Sequence, residues 1–343
     1  MTRLSREDRV SAWALLAISL LLYPVAANSG EGVAEAFALR NQNPFLQIFG
    51  LPPLQSAALA RPGETDFSIA LDVANHADAG DSALETFAID GESYFVTLSW
   101  RRRVSSRLEL GVDLPFVSHD EGFLDNAIEN WHDIFGMSNT KRRGPSNRLG
   151  FLYARDGTTL YELNSPSSGI GDIQLSAALS MKEANNAGGA TVSLRSSIKL
   201  PTGDYDNLHG SGATDFSLGV YASATHTLFA HDLSVSGFIG GVHLGNGKVL
   251  TNIQHSAVPF AGVAAEWYAT ERLGFVAQLY GQGAYFNSDL EELGGETIQL
   301  AIGLTYRPPR RALLLKFAVV EDVMANATTD FGLHVAIQSS GNR

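Results

Sequence analysis

The chain has 343 residues, with 36 acidic against 24 basic side chains, a net charge of −12 and no cysteine. The missing cysteines exclude disulfides, thiolate metal sites and a cysteine nucleophile, and the acidic balance argues against nucleic acid as a partner. A mean hydropathy of +0.00 does not separate a soluble chain from a membrane barrel, because strands that alternate apolar and polar residues average to neutrality.

Arg3, Arg6 and Arg9 precede an apolar run at residues 10–22, which ends at Tyr23-Pro24 and the small residues Val25, Ala26 and Ala27. This reads as a secretory signal peptide over residues 1–27. The run falls short of the roughly 20 residues that a spanning helix needs. A second cut after Ala34-Glu35-Ala36 stays open. Within the N-terminal segment, residues 28–64, the stretch Phe37 to Glu64 shows too little alternation for a strand. Their apolar members Phe45, Leu46, Ile48, Phe49 and Leu51 are costly to leave in water, so this N-terminal segment is expected to dock in a lumen as a plug, the alternative being a periplasmic tail.

From residue 65 a period of two takes over and recurs through twelve candidate strands. Phe67, Ile69, Leu71 and Val73 mark the first, Tyr94, Val96, Leu98 and Trp100 the second, and Leu108 to Phe116 the third. Ile173, Leu175, Leu179 and Met181 give the fourth, Val192, Leu194 and Ile198 the fifth, and Phe216, Leu218 and Val220 the sixth. A Gly-rich seventh covers residues 233–244. Val263 and Trp267, Phe275 and Leu279, Ile302 and Leu304, Phe317 and Val319, and Val335 and Ile337 mark the remaining five. The expected fold is all-β: a transmembrane antiparallel β-barrel of about 12 strands over residues 65–338, with outer-membrane lipid on its apolar face. A soluble antiparallel sandwich is the rival.

Short connections at residues 104–105, 183–189, 229–232, 270–271 and 308–311 alternate with longer ones at 75–91, 118–170, 201–213, 245–258, 287–296 and 321–328. Bacterial barrels keep short turns in the periplasm and long loops outside, which places both ends of the barrel in the periplasm. Trp100, Trp267 and Tyr306 then fall at inner ends, and Phe116, Phe216 and Tyr285 at outer ends, as two interfacial girdles.

The opposite parity supplies the lumen. Its candidate lining includes Arg101, Arg107, Glu109, Asp113, Arg195, Lys199, Glu266, Gln278, Tyr280 and Lys316, with both signs of charge present. Such a set either forms a network that rigidifies the barrel or a polar constriction that selects solutes. In the longest outer loop Leu124, Ile128, Trp131 and Phe135 recur at helical spacing, opposite Asp125, Glu129 and Asp133. A short amphipathic helix is expected there. With His132 beside Trp131, it either folds into the mouth as a constriction or lies against the outer leaflet or neighbouring loops. Metal and catalytic signals are thin. Asp204-Tyr205-Asp206 is too short for a calcium loop, and Ser211 and His209 lack a third partner. No cofactor or metal is expected, and no enzyme.

Two sets of motifs carry a family resemblance. Gly169-Ile170-Gly171-Asp172-Ile173-Gln174-Leu175, Lys199-Leu200-Pro201-Thr202-Gly203-Asp204 and Gly210-Ser211-Gly212 resemble the outer-membrane proteins associated with meta-pathway phenol degradation. Arg40-Asn41-Gln42-Asn43-Pro44, Phe49-Gly50-Leu51-Pro52, Gly122-Phe123-Leu124-Asp125, Ile128-Glu129-Asn130-Trp131-His132 and Phe135-Gly136 are similar to an uncharacterised proteobacterial family of outer-membrane proteins, over residues 38 to the C-terminus. The resemblance implies a barrel, a Gram-negative host and passage of small hydrophobic or aromatic solutes, a fold-level analogy. The functional expectation is a passive outer-membrane channel for such molecules. A closed barrel with a structural or envelope-maintenance role and a lipid-modifying enzyme are the alternatives.

The exported protein is expected to begin at or near Asn28, read by mass spectrometry of membrane-purified material. Retention of Met1 there would overturn the signal-peptide assignment.

Overall fold

A computed structural model describes residues 36–123, 148–184, 189–309, 312–323 and 327–339. The first three strands are β1 (Thr65–Asp81), β2 (Glu85–Arg103) and β3 (Leu108–Asp120), and three short ones follow: β4 (Gly150–Arg155), β5 (Thr158–Leu163) and β6 (Ser167–Ile170). Then come β7 (Gln174–Lys182), β8 (Thr191–Lys199), β9 (Asp215–Leu228), β10 (His231–His243) and β11 (Ala257–Tyr268). The chain ends with β12 (Leu273–Gln282), β13 (Thr297–Tyr306), β14 (Leu313–Asp322) and β15 (Phe331–Ser339).

All pairings are antiparallel. β15 pairs with β1, and β3 pairs back onto β2, so the sheet closes on itself. β6 and β7 lie end to end against β3, opposite Phe116 to His119 and Leu108 to Asp113 respectively, and count as one wall position interrupted at residues 171–173. The β4–β5 hairpin hangs on the outer end of β2. Twelve wall positions remain, and closure leaves no strand edge in lipid, where an unpaired backbone group would cost several kcal/mol.

Parity decides what each face meets. Phe67, Ile69, Leu98, Leu110, Phe216, Phe275, Ile302, Phe317 and Val335 are exposed on the outside, whereas Asp72, Glu109, Asp113, Lys199, Glu266, Gln278 and Lys316 are buried inside. In water that arrangement would be inverted; it fits a wall whose solvent is hydrocarbon.

Three expectations are corrected. Residues 75–91 are not a long loop: β1 and β2 run in unbroken register from Thr65↔Arg102 to Asp81↔Thr86, turning only at 82–84. The region 118–170 carries β4, β5 and β6. Both segments project beyond the lipid, so no apolar outer face was needed to reveal them. Tyr285 belongs to no girdle; it is buried and stacks on Phe49 with ring centroids 4.9 Å apart. The candidate helix, with Leu124, Ile128, Trp131, His132 and Phe135, lies outside the described residues.

Residues 36–60 run inside the barrel. One leg rises along β12–β14, where Phe37 and Leu39 pack with Val276, Ala301, Ala318 and Val320. Asn41 reaches the outer rim through the Ala327 carbonyl (2.8 Å), and the chain turns back over residues 43–49. There Phe45 meets Phe87 and Tyr161, so the outer extension of the sheet folds over the mouth. The second leg descends past β9 and β8 to Ala60, beside Glu109 near the inner end of β3.

Leu98→Arg should destabilise the barrel by roughly 2–4 kcal/mol, the cost of a charge deep on the lipid face. Thr97→Arg, one residue away on the cavity face, should cost much less. Heat-modifiability on gels reads both, and equal effects would refute the assignment of faces.

Candidate functional site

The N-terminal segment is held by polar groups of the wall. Gln278 exchanges two hydrogen bonds with Phe37, accepting from its N–H (2.9 Å) and donating to its carbonyl (3.1 Å). Lys316 Nζ donates to the Ala36 carbonyl (3.1 Å) and the Tyr280 hydroxyl to the Pro52 carbonyl (2.9 Å). The Ala57 N–H donates to Ser223 Oγ (2.9 Å) and the Ala60 N–H to Glu109 Oε2 (2.6 Å). An irregular backbone in a barrel leaves many donors and acceptors without ladder partners, and the inward polar side chains supply them.

Ion pairs line the rest of the interior. Arg101 grips Asp113 (2.9 Å), and its other nitrogen donates to the Val112 carbonyl (3.2 Å). Arg195 pairs with Glu109 (3.1 Å) and donates to the carbonyls of Ser56 and Ala58 (2.9 and 3.1 Å), so one cation ties β3, β8 and the descending leg together. His334 Nδ1 lies 2.6 Å from Asp72.

Toward the outer end, buried Lys199 binds Asp172, Ser211 Oγ (2.6 Å) and the Ala213 carbonyl (2.8 Å), with Asp215 at 3.4 Å. Asp215 also accepts the N–H groups of Gly50 (2.8 Å) and Gly245 (3.0 Å). Gly50 admits no side chain: a Cβ there would sit 2.9 Å from that of Asp215. Asp172 accepts the Gly203 and Ser211 N–H groups, so the triad also folds loop 200–214 onto the mouth. Leu208 and His209 of that loop are buried, and Gln47 donates to the Leu208 carbonyl (2.5 Å). Burial holds the His209 imidazole below its ordinary pKa, against the opposing pull of Asp204. Its Nε2 faces Ser167 Oγ (3.2 Å), whereas Ser211 is held by Lys199, so His209 and Ser211 have separate partners.

Because both legs hug the wall from β8 round to β14, the side formed by β1, β2, β3 and β15 keeps a cavity of about 380 Å³. It reaches from Arg61, Glu64 and Ser339 at the inner end to Asp172 and His209 beneath the outer loop. Of the lining residues expected from sequence, Arg101, Glu109, Asp113, Arg195, Lys199 and Lys316 border it. Gln278 and Tyr280 face inward but are covered by the segment. Glu266 is buried near the inner rim, accepting from Thr305 Oγ1 (2.5 Å) and Tyr268 (2.6 Å). Arg107 is exposed in the β2–β3 turn and is corrected: the parity is right, but the strand has not yet begun. Parity reasoning missed Asp172, which sits in the break between β6 and β7, Asp215, at a strand's first residue, and Arg40 of the ascending leg. Among the described residues no cluster of three His, Asp or Glu side chains could hold a metal ion.

Removing Lys199 would leave Asp172 and Asp215 buried without their cation. Lys199→Met should cost about 3–5 kcal/mol, as breaking a buried pair does, and open loop 200–214 to proteolysis. Unchanged thermal stability and protease resistance would count against this role.

No curated protein sequence matches the chain. Among solved structures, the COG4313 outer membrane channel from Pseudomonas putida F1 is similar at 14% identity, covering 82% of this chain and 96% of that one, with a TM-score of 0.52. The NanC porin is similar at 8% identity over 81% of this chain and 100% of its own, with a TM-score of 0.46. At 14% identity the likeness to the Pseudomonas protein concerns the fold alone, a closed antiparallel β-barrel. Residues 15–339 match the family described as Protein of unknown function (DUF3187), and the chain belongs to that family.

Proposed function

We propose that the protein is a passive outer-membrane channel for small hydrophobic or aromatic molecules, with the cavity along β1–β3 as its route. One observation carries the reading. The N-terminal segment is pinned to one side of the barrel and leaves the opposite side open over most of the wall's height, with about 380 Å³ of space. That volume suits a small solute, since ligand sites run from about 300 to 1,000 Å³. Apolar Phe49, Leu54, Phe95 and Val117 share the lining with the ion pairs. The similarly folded Pseudomonas protein is an outer membrane channel, and the loop motifs that resemble phenol-pathway proteins favour aromatic cargo. The segment acts as a plug that narrows the lumen. A sealed barrel with a structural role is the second reading, favoured by the way Leu208 and the β4–β5 hairpin close the outer mouth over Phe45.

In planar bilayers and liposome swelling, the intact protein should show low ionic conductance and admit phenol faster than sugars. Deleting residues 38–60 should raise conductance and sugar uptake severalfold, because a barrel of this strand number is wider than its own inward side chains fill. Equal impermeability of both proteins to phenol, sugars and ions would overturn the channel and leave the sealed barrel.

A further inference from the structure

Arg40 differs from the other cations that border the cavity. Arg61 pairs with Glu64, Arg101 with Asp113, Arg195 with Glu109, and Lys199 with Asp172 and Asp215, while Lys316 holds the Ala36 carbonyl. Arg40 makes no ion pair or hydrogen bond among the described residues, yet its side chain lines the cavity and is partly buried. Its position is fixed from both sides. Phe37 is tied to Gln278 and Asn41 to the Ala327 carbonyl, and Leu39 is buried against β12–β14, so the next residue is turned toward the open side. It lies near enough to Asp113 on one wall and to Tyr280 and Tyr285 on the other for its charge to act on all three. Asp113, the one carboxylate among them, is already engaged by Arg101.

A guanidinium held inside a barrel with no protein partner keeps its donors for something mobile. Water serves in the resting protein. A carboxylate serves better, because it accepts two parallel N–H bonds from the planar fork and the effective dielectric of the interior strengthens the attraction. Ala38, two residues before Arg40, and Pro115, on the Asp113 face of β3, line the same cavity, keep accessible surface and offer an apolar face to the body of such a ligand. We infer that Arg40 forms a binding site, within the cavity, for small carboxylates with an aromatic or apolar body. The inference deepens the channel reading by naming a class of solute, and it rests on that reading for transport but not for binding.

Isothermal titration of the full detergent-solubilised chain tests it, with benzoate as probe, benzyl alcohol as its uncharged counterpart and empty micelles as blank. Benzoate should bind saturably. Arg40→Gln should weaken benzoate by about tenfold or more, as expected for loss of a charged hydrogen-bonding partner, and leave benzyl alcohol unchanged. Arg40→Lys, which keeps the charge without the fork, should fall between, and unshifted heat-modifiability shows that both variants are folded. Absence of saturable benzoate binding in the parent, or equal binding by all three proteins, overturns the site. Arg40-dependent binding without flux of any solute overturns the channel and leaves the site. Flux with binding indifferent to Arg40 does the reverse.

Discussion

A wall of twelve strands encloses more volume than its own inward side chains can fill. What occupies the surplus determines nearly everything else about this molecule. The occupant is the chain's own N-terminal segment, an irregular backbone whose amides and carbonyls find no ladder partners. Each of those groups must be satisfied or solvated, so the wall turns amides, hydroxyls and carboxylates inward where it is covered: Gln278, Tyr280, Ser223 and Glu109. The inner polarity of the barrel is thus in large part a mould for one particular polypeptide.

That division follows the circumference. From β8 to β14 the inward side chains bind the segment, and from β15 to β3, Glu109 apart, they bind one another or border open space. Two junctions belong to both regimes. Arg195 spans the segment and Glu109, and the Lys199 triad reaches both Gly50 of the segment and the loop that covers the mouth. Buried pairs of this kind add little net stability but tolerate few alternative arrangements. Here they set the position of the descending leg and therefore the width of what remains.

The wall was legible in the sequence because lipid imposes a rule that each spanning strand must obey. Leu98 and Thr97, or Leu110 and Glu109, are sorted by parity alone. Where the lipid ends, the rule ends too. Asn75, His76 and Asp78 continue β1 without any apolar alternation, and Phe151 and Tyr153 of β4 pack over the mouth rather than toward the membrane. The apolar residues of the segment announced that it must be buried, but not where, since its contacts join residues as many as 286 positions apart. Arg40 and Asp172 entered only within family-like motifs and carried no signal of face: one lies in an irregular leg and the other in a strand break, where no periodicity assigns a side chain to a face.

The same long separations bear on assembly. The Phe37 amide meets a residue 241 positions later, and Asn41 one 286 positions later. Strand pairing by contrast proceeds mostly between consecutive strands, except at the β1–β15 seam and where β4, β6 and β7 join β2 and β3. Apart from Glu109 on β3, the main wall groups that hold the segment lie on β8 to β14, so its full anchoring requires a wall already largely formed. Contacts made after the folding barrier slow unfolding without hastening folding. The N-terminal segment is thus placed to act as a latch on the completed barrel, lengthening its lifetime rather than guiding its construction.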